Sequence, residues 1–199
     1  MFVDEKWWRL GEGERNLFWC FGTEKPPKRN KPLHPLEFRI LGGMSRKGVA
    51  PLQIVKPGDT IDAVWYRKHL GNLIKWGCSK HRNRLGLLQD NASPHKANET
   101  LQFITEQIKT PVLKHPPYSP DLNPIETLWA ITQKWVGKEK PKTRPAMQVV
   151  VVRVVENVSV EICGKIVDSF MRRIRAVYEC GGGWPGGEEV LDLPECKLK

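Results

Sequence analysis

The sequence predicts an α/β fold: a mixed sheet with helices packed on its faces. Three observations carry that expectation. Short aromatic-rich and β-branched runs open the chain, apolar residues then recur at helical intervals, and from Arg84 onward strand-like and helix-like segments alternate. An antiparallel meander that passes into strand–helix alternation puts helices on both faces of a sheet containing both strand directions.

The elements follow in order. MFVDEKWWRL (1–10) and NLFWCFG (16–22) read as two strands joined by the turn GEGER, and EKPPKRNKPLHP (24–35) is a basic, aperiodic loop. EFRILGGMS (37–45) and PLQIV (51–55) resume as strands around SRKG. From Thr60, a plausible N-cap, Ile61, Val64, Trp65, His69 or Leu70, Leu73 and Trp76 keep a helical rhythm. RLGLLQD (84–90) is a short apolar run ending in a carboxylate, expected as a buried strand; HKANETLQFITEQIK (95–109) is a helix and TPVLKH (110–115) a strand.

Beyond these, IETLWAITQKWVG sets Ile125, Leu128, Trp129, Thr132, Trp135 and Val136 on one face of an amphipathic helix. KEKPKTRP (138–145) reads as a basic linker. MQVVVVRVVENVSV (147–160) fits a buried strand or a β-branched helix equally well. KIVDSFMRRIRAVYE (165–179) is helical, with Ile166, Val167, Phe170, Ile174, Val177 and Tyr178 as its apolar stripe and Arg172, Arg173 and Arg175 mostly off it. The tail from 181 to 199 has no core pattern and is expected to be flexible. The expected organisation is a core over 1–137, a basic linker and C-terminal helical part of the same domain over 138–180, and that tail.

Composition narrows the function. Of 199 residues, 40% are hydrophobic and 27% charged, a globular balance, and the formal net charge of +10 favours a polyanionic partner, nucleic acid ahead of an anionic membrane. The five cysteines are scattered and form no CxxC pair, so reduced thiols inside a cell are expected rather than a disulfide framework. No His and Cys stand at zinc-site spacing, and no apolar run approaches the ~20 residues of a membrane span. An intracellular, soluble protein is expected.

Three carboxylates stand where strands and helices end. Asp4 lies in the first strand among Phe2, Val3, Trp7 and Trp8, where a charge is costly unless it faces an opening or a cation. Asp90 ends RLGLLQD, and carboxyl ends of strands are where open α/β sheets place ligands. Glu126 lies in the first turn of a helix that follows the last strand. Gathered together, they would form an all-oxygen site for Mg²⁺ or Mn²⁺, and two such ions roughly 3.5–4 Å apart serve phosphodiester chemistry. Plainer roles are open to each. Asp4 can pair with a Lys or Arg, Asp90-Asn91 can close a turn, and Asn123, Pro124 and Glu126 can form a capping box. Asp121 has the place of a turn residue in SPDL.

FVDEKW, LLQDNASPH and HPPYSPDLNPIETLW, in that order, closely resemble the catalytic domain of mariner-superfamily cut-and-paste DNA transposases, and SFMRRIRAVYECGGG resembles the family's last helix. The likeness spans about residues 1–183. It implies a ribonuclease-H-like fold with a mixed five-stranded sheet and first and fourth strands side by side. Its catalytic triad falls on Asp4, Asp90 and Glu126, holding two Mg²⁺ or Mn²⁺. Thirty-five residues separate Asp90 from Glu126, one more than the family's commonest spacing; counting to Asp121 gives thirty, a poorer fit.

The resemblance also implies double-stranded DNA as partner, both transposon ends and target, with a homodimeric assembly and a nuclear location. Lys134, Lys138, Arg172 and Arg173 are the candidates for backbone contacts, a solvated charged face being their plainer role. Family members carry helix-turn-helix domains ahead of the catalytic domain, and here three residues precede Asp4, so an N-terminally truncated transposase is expected. A non-catalytic or host-adopted DNA-binding remnant, or a nuclease of the same fold, is the alternative.

Overall fold

The computed structural model describes residues 1–10, 36–82, 84–117 and 119–183. The expected strand NLFWCFG, the basic loop over 24–35 and the tail beyond 183 lie outside the described residues. Among the described residues six strands form one sheet: β1 (Phe2–Arg9), β2 (Glu37–Ser45), β3 (Gly48–Val49), β4 (Gln53–Ile54), β5 (Leu87–Leu88) and β6 (Val112–Leu113). The order is β3-β2-β1-β5-β6, with β4 also on β2. β1 and β2 run antiparallel along their whole length, while β5 pairs in parallel with both β1 and β6. The sheet is therefore mixed, as expected.

Six segments replace the expected five because the strand beside β2 arrives in two pieces. Met44 pairs with Val49 and Leu41 with Gln53, which leaves one more residue on the outer strand than on β2. Pro51 sits inside that bulge, where a residue without an N–H belongs on an edge strand.

Successive side chains of a strand point to opposite faces, so each strand feeds two cores. Phe2, Ile40 and Leu88 face a cluster completed by α4 (Pro124–Glu139), α5 (Arg144–Glu156) and α6 (Val160–Glu179). Val3, Leu41 and Leu87 face a second cluster built with α1 (Ala63–His81). Two short helices, α2 (Ser93–Lys96) and α3 (Asn98–Gln102), and a π-helical turn (Phe103–Ile108) continue the α1 side. The helix expected over 95–109 is thus broken at Ala97, where the backbone is extended.

The caps refine the helix starts. Asp62, not Thr60, caps α1: its Oδ1 accepts the Trp65 N–H at 2.7 Å. The run 147–160, left open between strand and helix, is mostly helix α5, and α6 begins at its end. Thr143 caps α5, accepting from the Ala146 N–H, with Pro145 in the first turn. Met147, Val151, Val154 and Val155 are buried against α4 and the sheet, so core packing outweighs the β-propensity of the valines. α4 itself runs through the expected linker start to Glu139, and all six residues of its predicted apolar face are buried. The α6 stripe is buried at Ile166 and Phe170 but leaves the core at Ile174 and Tyr178, where Arg173 is buried instead.

Candidate active site

Asp4 and Asp90 are brought level by the parallel pairing of β1 and β5. Phe2 is opposite Leu88, so two residues on in the same direction Asp4 stands opposite Asp90. From the other side Glu126 enters at the first turn of α4. Asn123 caps that helix, its Oδ1 accepting the Ile125 N–H at 3.4 Å, with Pro124 in the first helical position. The capping box is not closed: the Asn123 N–H is taken by the Pro120 carbonyl at 3.0 Å. The Glu126 carboxylate makes no hydrogen bond among the described residues, and it lines a pocket of about 390 Å³ together with Asp4, Asp90, Asn91, Lys96 and His115. Asp121 does not line it. That carboxylate lies in a 3₁₀ turn (Pro120–Leu122) and acts on the Arg173 guanidinium instead.

The two aspartates are held differently. Asp4 is 7% exposed and faces the α4 side, where the Trp129 indole donates to its Oδ2 at 3.1 Å. Burial first, and then the Glu126 and Asp90 charges, push its carboxyl up to about 7, outweighing the pull of the Glu5 backbone and Trp129 hydrogen bonds. Gly42, the residue paired with Asp4 across β2, makes the indole contact possible. A Cβ there would stand 2.8 Å from Trp129 Cζ2 and closer still to Cη2.

Asp90 is half-exposed, and its Oδ1 takes two donors: the Ala92 N–H at 3.0 Å and His95 Nδ1 at 2.5 Å. The His95 hydrogen bond holds this carboxyl below the usual range. His95 is 1% exposed, with Nε2 at 3.4 Å from Glu5 Oε1. Each of its ring nitrogens thus faces acceptors. Burial pulls the imidazole down, but Asp90 and Glu5 outweigh it and hold it up at about 9. Tyr66 stacks on the ring at 4.0 Å between centroids and donates to Gln89 Oε1 at 2.8 Å, while Gln89 Nε2 donates to the His95 carbonyl. Neither His95 nor Trp129 was singled out as a site residue by sequence reasoning. The signal for His95 was its place in QDNA-x-x-H.

The donor set suits a hard divalent cation. It is all carboxylate oxygen, one wall is buried, and Asp4 is raised in part by repulsion from its two partners. The three line a shared volume rather than a tight cluster; among the described residues no three His, Cys, Asp or Glu side chains are already gathered as a closed ligand set. Of the candidate DNA contacts, Lys134, Lys138 and Arg172 are exposed. Arg173 is not: it is 6% exposed, and its guanidinium reaches Thr127 on α4 at 3.5 Å. Sequence periodicity put it off the buried stripe, but the apolar stem of an arginine lies well against a helix. Among the described residues no helix is long and apolar enough to cross a membrane.

Comparison with known proteins places these features in context. A family model described as DDE superfamily endonuclease matches residues 1–148. The human histone-lysine N-methyltransferase SETMAR is 36% identical over 130 residues, which cover 61% of this chain and 18% of that protein. The Mos1 mariner paired-end complex with Mn superposes with a TM-score of 0.78 at 21% identity, covering 92% of this chain and 55% of that one. The catalytic domain of Mos1 mariner transposase, solved alone, gives 0.70 at 20% identity, covering 92% and 81%. At such identity the likeness speaks for the fold, which is the ribonuclease-H-like one. The chain spans about half the length of the Mos1 chain in its paired-end complex and a smaller share of SETMAR.

Proposed function

The chain belongs to the DDE superfamily endonucleases as a mariner-like DDE domain, and on that premise we propose that it is the catalytic domain of a metal-dependent DNA transposase. Asp4, Asp90 and Glu126 would hold two Mg²⁺ or Mn²⁺. The observation that carries this reading is that these three carboxylates, in family order, come from a strand, a strand end and a helix start to line one pocket. Mos1 structures with Mn and with Mg, and one with a transposon end, support it by likeness.

When bound, the metals would activate an attacking oxygen and stabilise the leaving one at a DNA phosphate, giving strand cleavage and then strand transfer. The chain's own residues supply position. Trp129 orients Asp4 from the α4 side, the Asn123 cap aims the first turn of α4, and Lys96 on the pocket wall can meet a phosphate oxygen. Double-stranded DNA is the proposed partner, drawn by the surplus of positive charge, with Lys134, Lys138 and Arg172 as exposed backbone contacts. Arg173 is assigned to holding α6 against α4. A nuclear location and a homodimeric assembly go with this reading.

The test is Mn²⁺- or Mg²⁺-dependent nicking of DNA by the purified chain. Wild type should nick and Asp90→Asn should be at least about 100-fold slower, since one ligand of both reaction steps is removed. If both are equally inert while both bind DNA in a salt-dependent way, the chain is a DNA-binding remnant and the enzymatic reading falls.

A further inference from the structure

We infer that His95 is a positioning residue for the second carboxylate: it ties one oxygen of Asp90 to the strand that carries Asp4 and leaves the other oxygen to the pocket. The inference rests on the two-metal reading above. Its ground is geometric. The backbone ladder between β1 and β5 consists of the pair Phe2–Leu88, with the Leu88 N–H on the Met1 carbonyl at 2.8 Å. At the level of the carboxylates, two residues further on, the described strands are joined by a side chain. His95 contacts Asp90 through Nδ1 and Glu5 through Nε2, and Glu5 follows Asp4 directly on β1.

Because neighbouring residues of a strand point to opposite faces, the Glu5 anchor sits on the α1 side while Asp4 faces α4. The strut therefore crosses between strands without entering the metal pocket, which His95 does not line. Asp90 Oδ1 is saturated by His95 and the Ala92 N–H, and Oδ2 accepts no hydrogen bond among the described residues. The ring itself cannot drift. Tyr66 stacks on one face, and Gln89 links the Tyr66 hydroxyl to the His95 carbonyl. This is the arrangement by which outer partners orient a ligand and set its affinity for a metal.

Mn²⁺ binding to the purified chain, followed by the loss of the free-ion electron paramagnetic resonance signal, tests this without relying on nicking. His95→Ala should weaken Mn²⁺ binding by about 10- to 100-fold. His95→Asn, whose amide nitrogen falls near the place of Nδ1, should recover most of that loss. Glu5→Gln, a change at a partly exposed residue that leaves the core intact, should weaken binding by a smaller factor. DNA affinity at fixed salt should stay at the wild-type value in all three. The strut is overturned if Mn²⁺ affinity is unchanged in both His95→Ala and Glu5→Gln, or if His95→Asn rescues nothing. Should His95→Ala fail to fold, Glu5→Gln alone decides, and unchanged affinity overturns the inference. A wild type that takes up no Mn²⁺, with Asp90→Asn no different, sinks the metal reading itself; a wild type that loses Mn²⁺ with Asp90→Asn but not with the His95 and Glu5 variants sinks the strut alone.

Discussion

Asp4 on β1 and Asp90, two residues past the end of the neighbouring parallel strand β5, are close in the fold, yet the protein treats their charges in opposite ways. Asp4 is buried against α4, supported by neutral donors, and its carboxyl rises to about 7. Asp90 lies half in solvent against a buried imidazole, and its carboxyl falls below the usual range. Ionising the first costs free energy that a bound cation would offset; the second already has a cation supplied by the fold. A site built this way has one carboxylate fixed in advance and one whose charge awaits a ligand.

The largest effect that should separate them is on stability against pH in metal-free protein. The unfolded chain releases the Asp4 proton near 3.8, while the folded one keeps it to about 7. Stability from this group is therefore full below 3.8 and is lost as pH rises to 7, by about 4 kcal/mol at ~1.4 kcal/mol per pH unit. His95 adds a later loss of the same sign, between its ordinary 6.5 and about 9. Chemical denaturation at several pH values should show the fall. Asp4→Asn should flatten its acid part, and saturating Mg²⁺ should shrink it by favouring the ionised carboxylate. A flat profile in wild type would break the contrast.

A smaller effect is expected at Gly42. Gly42→Ala should drive a methyl into the Trp129 indole, lowering stability by about 1–3 kcal/mol as overpacking does and weakening Mn²⁺ binding through Asp4. Thermal melts and Mn²⁺ titration would show both. The two amides should also differ in sign at pH 8 without metal. Asp90→Asn leaves His95 short of a partner and should cost about 1–2 kcal/mol, the pair being partly solvated. Asp4→Asn removes the cost of ionising a buried carboxyl and should be stabilising. Equal signs in denaturant melts would mean that the two sites are electrostatically alike.

Much of this could be read from the chain. Asn-Pro ahead of an apolar helical face announced the start of α4, and the short apolar run ending in Asp90 announced a strand whose end meets a ligand. Chemistry local to a few residues wrote those signals. The helix of residues 144–156 was less legible: its start was read as the end of a basic linker and its valine run fitted strand or helix, and burial against α4 decides for helix. Arg173 was misplaced because periodicity assigns a face from residue type, whereas its guanidinium is held at Thr127 by a neighbouring helix.

By itself the sequence determined the α/β alternation, the Asn123–Pro124 start of α4 and which three carboxylates are candidates, because propensity, capping and hydrophobic period act over a few residues. The tertiary structure alone decided that Gly42 makes room for Trp129 to reach Asp4 and that His95 bridges Asp90 and Glu5. It also turned Asp121 to Arg173 and Glu126 to the pocket. Three of those contacts, Gly42–Trp129, Asp4–Trp129 and Glu5–His95, join residues far apart in the chain, and neither periodicity nor a turn motif encodes which distant side chain will fill the space beside a strand.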